Sequence, residues 1–349
     1  MEREASAGRR RSVELTRREM LVVALSGGLV AACSSRTRVP LSGVSPVTAG
    51  TGVTPTTSVP APTSSPTPAT TASPAATLPA AHPWTPRRGE VSPAVKAQAT
   101  SLIEAVGTWT TGGSGLAAAR TRAAAAGHSP ALADALGPLL GSGDAAVSIV
   151  RDAQYGGILS SSSSVLVVVD QWRAMPDGSV VAGGTTVDVR LVAATPRWRV
   201  TEVLPARPGT ASTTVTSAAR KVLADTRIRL PHAARSDVRT GAIHDSVLGL
   251  LVALSRVHVV DVSVLRSGHP LHVFGTSRTS DHPRGRAVDV WALDDRPLVL
   301  PVNHALATSA MRFGVAHGAY NVGGPVQLSG PQYFSDRTHQ DHLHLGLNH

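Results

Sequence analysis

Several things are scarce in this chain of 349 residues. Aromatic side chains make up 3%, so any core must be built from Val, Leu, Ile and Ala; the apolar share of 42% supplies enough of them. Cysteine occurs once, at Cys33, which excludes an intramolecular disulfide. Asp and Glu number 23 against 33 Lys and Arg, a formal net charge of +10. That excess favours anionic surroundings such as nucleic acid, anionic lipid or anionic cell-wall polymer. Nucleic-acid binding calls for a basic run interleaved with aromatics or a fold signature. Neither is present, so no nucleic acid is expected as a partner. The uncharged apolar stretch from Met20 to Ala32 is too short to span a bilayer.

What is there begins with a leader. A polar, basic opening carries Arg9, Arg10 and Arg11, then Arg17 and Arg18. The apolar stretch follows, and Ala31 and Ala32 precede Cys33. This is the three-part layout of a secretory signal. Leu29-Val30-Ala31-Ala32-Cys33 resembles a bacterial lipobox, whose cysteine becomes the acylated first residue of the mature protein. The run from Thr16 to Leu21 resembles a twin-arginine signal. An ordinary leader with an incidental cysteine is the alternative, but it leaves unexplained why the single cysteine falls where a lipobox needs it. The expectation is a signal peptide over 1–33 and a protein held by lipid at the outer face of the bacterial cytoplasmic membrane.

From Val39 to Pro86 no Asp, Glu, Lys or Arg occurs, and proline, Thr, Ser and Ala dominate. Such a segment buries too little apolar surface to offset its ordering entropy, so 34–91 reads as an extended tether. A first folded region is expected over 92–206. Ser92-Pro93 marks a helix start, and Val95, Ala99, Leu102, Ile103 and Val106 follow at helical spacing. Helices are expected at 115–127 and 129–140, then β-branched strands at 147–150, 165–169, 180–189 and 198–203. This α+β pattern resembles the cystatin-like roll of the nuclear-transport-factor superfamily. It carries no paired catalytic groups, so the default reading is a spacer or protein-contact module. A second folded region, 215–349, reads as helices at 216–226, 241–255 and 304–315, with strands at 257–265, 287–291 and 341–347.

Twelve of the fourteen histidines lie between His232 and His349, which directs any search for metal chemistry to this second region. Pro283 and Gly285 prevent a helix from joining His282 to Asp289, so a loop must fold one back beside the other. On a strand His342 and His344 face one side while Leu343 and Leu345 face the core. Imidazole and carboxylate are both good Zn²⁺ ligands, and three protein ligands with one open position mark a catalytic site. His282, Asp289 and His344 are the candidate ligands. Asp341 is the local carboxylate for proton transfer; its strand parity is opposite to that of His344, so it needs a bend at the strand's start to reach the same place. His258, His304 and His317 read as ordinary core or surface residues, and His272 and His339 have no ligand spacing of their own. Ser280-Asp281-His282 cannot form a serine triad, since consecutive residues cannot make the required chain of hydrogen bonds.

Ser280-x-His282-x-x-Gly285-x-Ala287-x-Asp289, followed by Asp341-His342-x-His344, resembles the LAS metallopeptidases, the group of lysostaphin-type endopeptidases, zinc D-Ala-D-Ala carboxypeptidases and the hedgehog signalling domain. The resemblance covers about 215–349. It implies an α+β peptidase domain with a central antiparallel sheet and Zn²⁺ on His282, Asp289 and His344. It implies Asp341 as general base and His342 steadying the water or oxyanion. It also implies Arg266, in Leu265-Arg266-Ser267-Gly268, as the clamp on the substrate backbone or carboxylate. Many carboxypeptidases have Glu-x-Trp-His where this chain has Asp341-His342-Leu343-His344. The expected function is a zinc-dependent carboxypeptidase or endopeptidase acting on peptidoglycan stem or cross-bridge peptides. The alternative is a non-enzymatic zinc-containing lipoprotein that binds wall peptide or a partner protein.

Overall fold

The computed structural model describes residues 77–348. The leader, Cys33 and the tether as far as residue 76 lie outside the described residues.

Helix α1 (Pro93–Gly107) begins on proline, and its face of Val95, Ala99, Leu102, Ile103 and Val106 is fully buried, as the spacing requires. Helix α2 (Leu116–Ala125) follows. The helix expected over 129–140 is instead two short 3-10 turns, Pro130–Ala135 and Gly137–Leu139. Pro138 cannot donate inside a helix and restricts Gly137 before it, so the turn breaks there. Strands β1 (Ala145–Ile158), β2 (Ser162–Ala174), β3 (Val180–Val192) and β4 (Arg199–Pro205) form an antiparallel meander in that order. Val165, Val167, Val169, Val187 and Val189 pack with α1 into one core.

Strand β1 is an edge strand, bulged between Val150 and Asp152 and again between Tyr155 and Gly157. It is nevertheless buried without a break from Asp152 to Ile158. Edge N–H groups must find partners, and here the C-terminal part of the chain provides them. Tyr155 N donates to Asp341 Oδ2 (2.9 Å) and Ile158 N to Thr338 Oγ1 (3.3 Å).

The folded part also starts earlier than composition indicates. Trp84 N donates to Glu104 Oε1 (2.6 Å) and Arg87 Nη1 to Asp152 Oδ1 (2.6 Å). The Arg87 guanidinium lies over the Trp291 ring, and the Glu90 side chain is buried beside Lys96. Charge and an aromatic return at 84–91, and with them come the contacts that dock this stretch.

The C-terminal part contains α3 (Ser217–Ala224), β5 (Ile228–Arg229), α4 (His232–Thr240), α5 (Asp245–Ser255), β6 (Val260–Val264), β7 (Ala287–Leu293), β8 (Arg296–Pro297), α6 (His304–Ala316), β9 (Ala319–Gly323), β10 (Tyr333–Phe334) and β11 (Leu343–Leu347). The helix expected from 241 starts later, because Gly241 adopts a left-handed conformation that ends α4. The sheet order is β10-β9-β11-β7-β6-β5, with β8 paired to β7. It is antiparallel at the centre, but both edge pairs, β5 with β6 and β9 with β10, are parallel. The sheet is therefore mixed, not purely antiparallel. Leu248, Leu251, Val262, Val290 and Leu345 belong to its core. The described chain is a mixed α+β structure with two sheets and two cores in one compact unit. No described helix is long and apolar enough to cross a membrane.

Leu251→Ala empties a fully buried position of α5 and should cost about 2–5 kcal/mol in denaturant unfolding. Val302→Ala, at a side chain 78% exposed, should change stability by no more than about 0.5 kcal/mol. Equal effects would show that the C-terminal core does not hold the fold.

Candidate metal centre

The connection from β6 to β7 ends in a tight turn, His282–Arg284, capped by Gly285 at φ 69°. A side chain at Gly285 would run into the Ala242 carbonyl oxygen, so only glycine closes this turn. The turn brings His282 back over the start of β7. Across the sheet, β11 pairs antiparallel with β7 so that His344 stands directly opposite Asp289. Directly opposed residues put their side chains on one face. Three donor atoms therefore meet. His282 Nε2 is 3.0 Å from Asp289 Oδ1, His344 Nδ1 is 3.0 Å from the same oxygen, and the two nitrogens are 3.2 Å apart.

Those separations fit a metal ion. With bonds of about 2.0 Å to nitrogen and oxygen, tetrahedral Zn²⁺ holds its ligand atoms about 3.3 Å apart. The tautomer of His282 also fits, because its Nδ1 donates to the Leu265 carbonyl oxygen (2.8 Å) and its Nε2 faces the other two donors. Asp289 is buried, which opposes its charge, but His282 and His342 hold it well below the usual carboxylate range. His344 is also buried, which disfavours its cation, yet Asp281 and Asp289 raise it to about 9.

His269 joins this cluster, although no spacing singled it out. One ligand atom from each of His269, His282 and Asp289 lies within 4.8 Å of the others, close enough to hold a metal ion. The His269 ring stacks on His282 at 4.1 Å between centroids. Burial, and then the neighbouring His282, depress its basicity far below the ordinary imidazole value, so it presents a neutral ring. Its Nδ1 donates to the Pro270 carbonyl oxygen (2.9 Å), which leaves Nε2 as the lone-pair atom. Asp281 stands behind His344, with Oδ2 3.9 Å from His344 Nε2. Tyr320 and Asn321 donate to its carboxylate.

Asp341 does lie at a bend, in an αR conformation just before β11, as its parity required. Its carboxylate is nevertheless engaged elsewhere. Oδ1 accepts from His342 Nδ1 (2.6 Å), and Oδ2 takes Lys96 Nζ (2.6 Å) and Tyr155 N (2.9 Å). Burial opposes its charge, but Lys96 and His342 outweigh that and lower its pKa. Asp341 is therefore an ionised partner of His342 and not a free base. His342 Nε2 faces Asp289 Oδ2 at 3.7 Å. Burial disfavours the His342 cation, yet Asp289 and Asp341 raise its pKa. Lys96 also pairs with Glu90, whose pKa burial pushes up to about 7 against the pull of Lys96.

A cleft of about 630 Å³ opens between the end of β1 and the C-terminal sheet, and His269, His342 and His344 line it together with Tyr155, Arg278 and Arg337. Arg266 is not brought into this cleft. Its backbone N–H and that of Ser267 donate to Asp237 Oδ2, and its Nε donates to the Pro283 carbonyl oxygen (3.3 Å). These bonds turn it into a second groove, lined also by Arg190 and Arg207. Arg278 and Arg337 are the guanidinium groups the first cleft holds. His258 pairs with Asp294 and His317 stacks on Phe313, both away from the cluster.

Comparison with protein-family models, with curated proteins and with solved structures gives no match for this chain. The sequence did not single out His269, Lys96 or Tyr155, and it offered Asp281 only as a member of a triad that cannot form. For His269 the one available signal was the crowding of histidines around 269–282; for Lys96 and Tyr155 there was none.

Metal and proton compete for His344, so Zn²⁺ binding near neutral pH should release about one proton from it. Apparent affinity should then rise roughly tenfold per pH unit between pH 6 and 8, read by calorimetric titration in buffers of different ionisation heat. His282→Ala should weaken Zn²⁺ binding at least about 100-fold. Affinity independent of pH and of His282 would place the ion elsewhere.

Proposed function

We propose that this protein is a zinc peptidase of LAS type. Cys33 would anchor it by lipid at the outer face of the bacterial cytoplasmic membrane. The bonds hydrolysed would be those of peptidoglycan stem or cross-bridge peptides. The observation that carries this reading is the meeting of His282 Nε2, Asp289 Oδ1 and His344 Nδ1 at 3.0–3.2 Å beside a cleft that His342 also lines. In this reading the four-stranded sheet with α1 and α2 is a cystatin-like roll, and the seven-stranded sheet belongs to the peptidase domain.

His282, Asp289 and His344 would hold the ion. When bound, Zn²⁺ supplies Lewis acidity at the scissile carbonyl and lowers the pKa of water. The chain's own residues do the rest. Asp341 accepts a hydrogen bond from His342 Nδ1–H, which fixes the ring and leaves Nε2 as its working atom. With the charge of Asp289 answered by the ion, His342 would be left neutral to take a proton from the attacking water and return it to the leaving amine. This moves the general-base role from Asp341 to His342. Arg278 and Arg337 meet the carboxylate groups of a wall peptide, in place of Arg266. The cleft volume is within the range of pockets for small ligands and short peptides.

The test is release of a peptide fragment or D-alanine from purified muropeptides by the zinc-loaded protein. His344→Ala should lose both zinc and cleavage. His342→Ala should keep zinc but lower kcat by about 100-fold or more. The hydrolase reading is lost if the wild type, loaded with zinc, releases nothing.

A second reading is a non-enzymatic zinc-containing lipoprotein that binds wall peptide or a partner protein. The closeness of His269 favours it, since a fourth protein ligand would close the coordination shell. X-ray absorption of the zinc-loaded protein separates the two. Four protein ligands support binding, and three with one water support hydrolysis.

A further inference from the structure

The four-stranded sheet reaches into the metal cluster at a residue that neither composition nor motif picked out. Gln154 lies on β1 between its two bulges, and its side chain is fully buried. Its Nε2 donates to Asp289 Oδ2 at 2.6 Å across 135 residues of chain. Its Oε1 accepts from the Ser263 hydroxyl of β6. The amide orientation is chemically forced, because an ionised carboxylate can only accept. Ser263 reaches the Asp289 carbonyl oxygen as well (3.3 Å).

The two oxygens of Asp289 therefore have different work. Oδ1 meets His282 and His344. Oδ2 is held from the opposite side by Gln154, with His342 Nε2 at 3.7 Å. A carboxylate fixed in this way offers a single oxygen to an ion. Without the amide, Oδ2 would be a buried acceptor lacking its hydrogen bond, and the carboxylate could rotate out of the plane that brings Oδ1 to the histidines. The same region of β1 is tied down next door, where Tyr155 N and Lys96 hold Asp341.

We infer that Gln154 is a positioning residue for the metal ligand Asp289, so that the metal centre is shared between the two sheets and the four-stranded sheet is part of it. This rests on reading His282, Asp289 and His344 as metal ligands, and the test separates the two claims. The full chain is titrated with Zn²⁺ against a competing chelator, and thermal unfolding is followed with and without the ion. Gln154→Met keeps the length of the side chain and removes the donor. Zinc affinity should fall about 10- to 100-fold, and the zinc-induced rise in Tm should shrink with it. A merely structural role would lower Tm equally with and without zinc and leave the affinity alone. Ser263→Ala frees the Gln154 amide without emptying the site. It should fold even where Gln154→Met does not, and should weaken zinc by about threefold or more. If the wild type binds no zinc, the ligand reading fails. If it binds zinc and a folded Gln154→Met, or Ser263→Ala where that variant does not fold, binds as tightly, the inference fails.

Discussion

The pairing of β7 with β11 sets the geometry on which the site depends. His344 faces Asp289 because Leu343 faces Val290 and Leu345 faces Val288 in the same ladder. Those four apolar side chains are fully buried in the C-terminal core. A slip of β11 by one residue would turn the leucines out of the core and His344 into it. Burying four such side chains is worth on the order of 6 kcal/mol or more relative to exposing them. The hydrophobic face of the sheet thereby fixes the polar face, and the closeness of His344 to Asp289 is a by-product of packing.

The second constraint is electrostatic. Asp289, Asp341 and Glu90 all lie where water is excluded, and isolated charges there are costly. Each has an answering cation within reach. Lys96 sits between Glu90 and Asp341, and His342 and His344 flank Asp289. His342 links the two groups, since its Nδ1 bonds Asp341 while its Nε2 faces Asp289. The charge of α1, in the first part of the fold, thus reaches Asp289 of the last part through Asp341 and His342. Asp341 is thereby committed to Lys96, Tyr155 and His342.

The four-stranded sheet also touches the cluster. Its edge strand β1 borders the cleft, covers the cluster, and has its own unpaired N–H groups satisfied by Asp341 and Thr338. Each half removes a liability of the other, an open strand edge in one case and a buried carboxylate in the other. Residues 84–91 add a strap over the same junction, with Arg87 bonded to Asp152 and stacked over Trp291.

The sequence by itself determined what repeats locally. The helical spacing of Val95 to Val106, the β-branched runs of β1 to β4, the turn forced by Gly285 and the parity of Leu343 and Leu345 were all legible, because each depends on neighbours in the chain. So was the trio of His282, Asp289 and His344, through motif spacing. Tertiary structure alone decided the rest. It split the helix expected near 129–140, drew Asp341 away to Lys96, turned Arg266 onto Pro283, and brought His269 and Gln154 to the cluster. The hydrogen bond from Gln154 to Asp289 spans 135 positions, and that from Tyr155 to Asp341 spans 186. No periodicity encodes such contacts; they exist because two separately packed sheets meet along one edge strand.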